Sequence, residues 1–223
     1  MAEDVRLCSG QLSPISEDGR LLNHLPYAEA ARADLIGPPR ALRGQCHAIH
    51  RDMLSDLQAL IALARSSPEV RDRIVTISCF RSRQHQTRIF CRPGRSILLQ
   101  SYQVAPPGFS EHATGLAVDF GDNRAGRCNL EACFARTIVG RWLAQHAPAF
   151  GFEMSFPEGN AQGVAFEPWH WRWVGRGDAR GPDYFATARG RFPARGAAQA
   201  SSVRQLVDPA ATLSLAEPTG GTE

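Results

Sequence analysis

The stretch SEHATGLAVDF, residues 110–120, constrains this chain more than any other. Read with a period of two, Leu116, Val118 and Phe120 point to one side, while Gly115, Ala117 and Asp119 point to the other. The large side chains must face a core, and the small ones clear a space in which Asp119 stands. A carboxylate on so apolar a strand needs a partner, because an unpaired buried charge is costly.

A second stretch, EPWHWRWVG at residues 167–175, offers one. Strand alternation puts His170 and Arg172 on one face and Trp169, Trp171 and Trp173 on the other. Pro168 cannot donate to a central ladder, so it marks a bend before the strand and lets Glu167 turn towards the side of His170. His112, Asp119 and His170 are two imidazoles and a carboxylate, a ligand set that holds one Zn²⁺ and leaves a fourth position for water. Such a site acidifies water from a pKa of about 15.7 towards about 7. Glu167, close but not a ligand, suits a general base that then protonates a leaving amine.

These residues carry a family resemblance. Ser-x-His-x-x-Gly-x-Ala-x-Asp is met by Ser110, His112, Gly115, Ala117 and Asp119, and Glu-x-x-His by Glu167 and His170. Upstream, CFRSRQHQ supplies an Arg-Ser element with a glutamine five positions after the arginine, Arg81 and Gln86. The chain resembles the VanY-type D-alanyl-D-alanine carboxypeptidases over roughly residues 20 to 175. That resemblance implies an α+β fold of the hedgehog/DD-peptidase type, a small antiparallel sheet carrying a zinc site with helices packed on it. It implies His112, Asp119 and His170 as metal ligands, Glu167 as base and acid, and Arg81 as the oxyanion partner. Ser110 and Gln86 would hold the peptide end, and Trp169 would form pocket wall. The implied reaction is removal of a C-terminal D-alanine from peptidoglycan stem peptides or their precursors. An L,D-carboxypeptidase or an endopeptidase on the same fold is the alternative, with a catalytically silent wall-binding module behind both. One departure is visible: many relatives have Arg-Tyr-Pro after the GF element, where this chain has Ser155, Phe156 and Pro157.

The rest of the chain limits these choices. All 25 basic residues are arginine, which excludes a Schiff-base lysine, a P-loop lysine and the Ser-x-x-Lys hydrolases. The arginines are scattered and the net charge is only +3, so no nucleic-acid partner is expected. No run of about 18 apolar residues is present to cross a membrane. The first 20 residues lack a signal-peptide pattern, which sets a cytoplasmic alternative against the periplasmic or wall-associated location that family substrates imply. Six cysteines at irregular spacings, with no CxxC, suggest small buried or free thiols. Only Cys128 and Cys133 are close enough in sequence to suggest a bridge.

A pass along the chain gives a loosely ordered segment at 1–20, a catalytic domain at 21–180, and an extended, disordered tail at 181–223. Within the domain, apolar spacing predicts a long helix from Ala41 to Arg65, carrying His47 and His50. A strand is expected at 73–80, a helix at 83–91, and a second packing helix at 131–146 capped by Asn129. FEMSF and WHWRWVG are expected as strands. A monomer is expected.

Overall fold

The computed structural model describes residues 4–8, 10–42, 44–176 and 184–193. The described chain opens on a hairpin of β1 (Asp4–Leu7) and β2 (Gln11–Pro14), followed by the short antiparallel pair β3 (Leu35–Ile36) and β4 (Ile49–His50). Then come α1 (Leu54–Ser66), β5 (Ile74–Ser78), α2 (Arg83–Phe90), α3 (Ile97–Gln103), β6 (Ala117–Asp122), α4 (Ile138–His146), β7 (Phe152–Met154), β8 (His170–Trp173) and α5 (Ala186–Arg191). The main sheet runs β5-β6-β8-β7 with every pair antiparallel, so the expected α+β architecture stands.

Strand alternation builds this sheet's two sides. Val118 and Phe120 of β6 and Trp171 and Trp173 of β8 enter one apolar core with Leu57, Leu60 and Ile61 of α1 and Val139, Trp142 and Leu143 of α4. Burying each such aliphatic or aromatic side chain contributes roughly 1.5–3 kcal/mol. The opposite sides of β6 and β8 are buried too, against the site described below. All six residues of β6 are therefore buried, although only alternate ones are large and apolar.

Several expectations are corrected by tertiary structure. The helix expected from Ala41 begins only at Leu54. Gly44, at φ +120, makes a bridge to Thr76, where a Cβ would lie 2.0 Å from the Thr76 carbonyl oxygen. This contact keeps the segment from Gly44 to β4 out of the helix. His50 accordingly lies on β4, buried, and its Nδ1 accepts from the Asp52 N–H. The α4 cap is Thr137, whose Oγ1 accepts from Gly140 N at 2.9 Å. Asn129 instead bonds both backbone groups of Asp122. Gly115 is not in the strand: at φ +70 it ends a 3₁₀ turn spanning Glu111–Thr114, which carries His112.

All six cysteines are paired, as Cys8–Cys91, Cys46–Cys79 and Cys128–Cys133, against the expectation of free thiols. The nearest pair in sequence was legible, whereas the other two bridge 83 and 33 residues and depend on the fold. The segment expected to be loose at the N-terminus includes the β1–β2 hairpin, held to the end of α2 through Cys8. Residues 184–193, expected within an extended tail, include α5, with Phe185 and Ala188 in the core. The remainder of that tail, 181–183 and 194–223, lies outside the described residues.

Candidate active site

Two strands and one turn bring the sequence motifs together. Asp119 of β6 is the register partner of His170 of β8, so the antiparallel ladder sets their side chains next to one another. His170 Nδ1 lies 2.9 Å from Asp119 Oδ1. The 3₁₀ turn before β6 delivers His112, whose Nε2 is 3.0 Å from Asp119 Oδ2. One donor atom from each of the three residues falls within a 4.8 Å cluster, all three residues being buried.

The donors are oriented for a cation. His112 Nδ1 donates to the Cys79 carbonyl at 2.6 Å, which fixes the tautomer and leaves Nε2 as the ligand atom. Burial lowers the His112 pKa against the opposing pull of Asp119, favouring the neutral imidazole that a metal needs. Burial alone would raise the Asp119 carboxyl, but the charges and hydrogen bonds of His112 and His170 outweigh it and hold Asp119 well below the usual range. His170 Nε2 meets Glu111 Oε2 at 2.8 Å, which frees Nδ1 for the cluster. Burial would lower this imidazole, yet its bonds to Asp119 and Glu111 raise it to about 10. A cation at Nδ1 must therefore displace a well-held proton. Two imidazoles and a carboxylate, with both imidazoles anchored through their other nitrogen, fit Zn²⁺.

Glu111 was missed in the sequence. Its carboxylate accepts from Arg172 Nη1 at 2.9 Å, from Tyr27 Oη at 3.2 Å, and from the Ser155 hydroxyl. Arg172, 1% exposed, also donates through Nε to Glu153 Oε1 at 2.8 Å. Burial pushes Glu111 up, but Arg172 and His170 bring it down to about 2. The available signals were Glu111 standing directly before a candidate ligand and Arg172 sharing His170's face. The Ser155 hydroxyl joins the same network.

The other expected residues surround the cluster. Glu167 Oε2 is 4.0 Å from His170 Nδ1, and burial raises its carboxyl to about 8 despite the opposing charge of His170. Arg81 Nη2 lies 3.5 Å from Asp119 Oδ2. Its guanidinium is held by Gln86 Oε1 at 2.9 Å and Ser78 Oγ at 3.0 Å. Gln86 is buried and spends its amide nitrogen on the Ala105 carbonyl at 2.6 Å. Ser110, Gln86, Trp169, Arg81 and Glu167 all line one cavity of about 570 Å³ that opens over the three donors. Phe156 lies against the His170 ring, with centroids 5.1 Å apart.

The family model of the VanY D-alanyl-D-alanine carboxypeptidases matches residues 46–176, more than half of the chain. The chain belongs to this VanY family. The D-alanyl-D-alanine carboxypeptidase of Enterococcus faecium is 36% identical over 72 residues, 31% of this chain and 22% of that protein. The match thus spans less than a quarter of that relative's length. The LdcB LD-carboxypeptidase structure superposes with a TM-score of 0.59 at 24% identity, covering 80% of this chain and 86% of that one, a likeness of fold. A substituted form of the vancomycin-resistance D,D-pentapeptidase VanY from a VanB-type cassette, solved with Zn(II), gives a TM-score of 0.52 at 25% identity. That match covers 68% of this chain and 84% of that one. The VanY match contains every residue placed around the donor cluster except Tyr27.

Proposed function

We propose that the protein is a zinc-dependent carboxypeptidase that hydrolyses a C-terminal D-alanine from peptidoglycan stem peptides or their precursors. The observation that carries this reading is the buried His112, Asp119 and His170 cluster, with Glu167 beside it at the floor of a cavity. One Zn²⁺ held by these three residues would supply an acidified water and polarise the scissile carbonyl.

The chain's own residues account for the remaining steps. Glu167, lining the cavity beside the three donors, would take a proton from the attacking water and give it to the departing amine. Arg81, fixed by Gln86 and Ser78, would meet the negative charge that develops on the carbonyl oxygen. The donor held in advance loses little orientation when that charge appears. Gln86 has both amide ends engaged within the protein, so we assign it to positioning Arg81 and leave the peptide end to Ser110. Trp169 and Phe156 supply apolar wall for the terminal methyl groups. Three disulfides favour folding in an oxidising compartment, in keeping with action outside the cytoplasm.

Incubation of the Zn²⁺-loaded protein with a stem pentapeptide ending in D-Ala-D-Ala should release free D-alanine. Glu167→Gln should lose about 10²–10⁴-fold in rate while still binding Zn²⁺ by titration calorimetry. Absence of D-alanine release, or a fully active Glu167→Gln, would refute the assignment. Cleavage of a matched tetrapeptide in preference to the pentapeptide would move the specificity to the L,D class.

A further inference from the structure

The helix α3 is built inside out. Its polar Gln100 and Ser101 are buried, the latter accepting at its carbonyl from His24 Nε2 at 2.7 Å. Its apolar Leu98, Leu99 and Tyr102 are 68%, 78% and 56% exposed. These three stand at spacings of three and four residues and share one outward face. They make up most of the large exposed hydrophobic side chains among the described residues, the others being Leu12 and Leu130. Tyr102 and Leu130 line the catalytic cavity, so the apolar face continues into the cavity's rim.

Charge is segregated in the same place. Residues 82–110 contain four arginines and no aspartate or glutamate. Arg88, Arg92 and Arg95 are exposed, and none forms an ion pair among the described residues. Exposed arginines on α2 and in the 91–96 segment leading into α3, next in the chain to protruding leucines, complement a surface that is anionic outside and apolar beneath, and an isolated anionic ligand would leave the leucines in water. Among the described residues no helix is long and apolar enough to cross a membrane.

We propose that α3 and the adjoining 91–96 segment dock on an anionic phospholipid bilayer, with Leu98 and Leu99 entering the headgroup boundary and Arg88, Arg92 and Arg95 meeting the phosphates. The docking stands on this surface alone. Resting on the function proposed above, it would also hold the cavity mouth at the membrane, where lipid-linked cell-wall precursors present their peptides.

Co-sedimentation of the full chain with vesicles tests the surface. Binding is expected to equimolar phosphatidylglycerol and phosphatidylcholine, to weaken with salt, and to vanish on phosphatidylcholine alone. The pair Leu98→Ser and Leu99→Ser should weaken it about ten-fold or more, as should Arg88→Gln with Arg95→Gln. Both double variants should keep the circular dichroism spectrum of the unsubstituted chain and its rate on a soluble pentapeptide. No binding by the unsubstituted chain, or equal binding by either double variant, would overturn the proposal. Failure to cleave the soluble pentapeptide would instead count against the proposed activity and leave the vesicle result readable.

Discussion

Replacing Arg172 by methionine removes the charge that holds two buried carboxylates while keeping an unbranched side chain in the same space. Arg172 Nη1 lies 2.9 Å from Glu111 Oε1 and its Nε 2.8 Å from Glu153 Oε1. Glu153 retains a second cation, since Arg189 Nε lies 3.2 Å away, so the unrelieved charge falls mainly on Glu111. Breaking one side of a buried pair typically costs about 3–5 kcal/mol. Arg172 is the largest of the influences that bring Glu111 from 4.5 down to about 2 against the opposing effect of burial. Arg172→Met should therefore lose about 3 kcal/mol in urea unfolding at neutral pH, with disulfides intact and the m-value unchanged. Adding Glu111→Gln should recover part of the loss, because the orphaned charge is then gone. The folded pKa of Glu111 is depressed, so its contribution is complete above about 4.5 and fades as pH falls towards 2. The penalty of Arg172→Met should shrink over the same window. A loss below about 1 kcal/mol, or a double variant weaker than the sum of the single ones, would refute the reasoning.

His24, buried and donating to the Ser101 carbonyl, is lowered by burial to about 4 from 6.5. The folded state then binds fewer protons than the unfolded chain, so stability should fall by up to roughly 3 kcal/mol as pH drops from 6.5 to 4. His24→Gln should flatten that window in pH-dependent urea curves. Gly115→Ala would impose a left-handed conformation on a Cβ 2.9 Å from His50 N, costing about 1–3 kcal/mol in thermal unfolding and lowering Zn²⁺ affinity by calorimetry. Removing disulfides one at a time by paired alanine substitution should destabilise in order of loop length, about 2 kcal/mol for Cys128–Cys133 and about 4 for Cys46–Cys79 and Cys8–Cys91. The Cys46–Cys79 loss should also weaken Zn²⁺ binding, because the Cys79 carbonyl holds His112.

Legibility followed the range of the interactions. β8 could be read from WHWRW because alternation alone places tryptophans in the core and His170 with Arg172 opposite. α2 was legible from its own residues, and Ser82 caps it locally through His85 N. The start of α1 was not, because apolar residues before Leu54 serve extended chain pinned by Gly44 to a strand 32 residues away. Glu111 was hidden for the same reason: its partners Tyr27, Ser155, His170 and Arg172 come from distant segments. Two of the three disulfides also needed the completed fold before their cysteines became neighbours.

The site and the core are specified by one register. Asp119 pairs with His170 and Val118 with Trp171, so moving β8 by one residue would exchange the faces of every side chain on it. His170 and Arg172 would then enter a core of Val118, Phe120 and Leu57, while Trp171 and Trp173 would leave it. Uncompensated burial of an arginine and an imidazole, added to exposure of two indoles, opposes that slip far more strongly than ladder hydrogen bonds could favour it. Glu111 and Glu153 reinforce the choice from the other side, since both accept from Arg172 only in the observed register. The geometry of the three candidate ligands is consequently maintained by forces that do not require a metal.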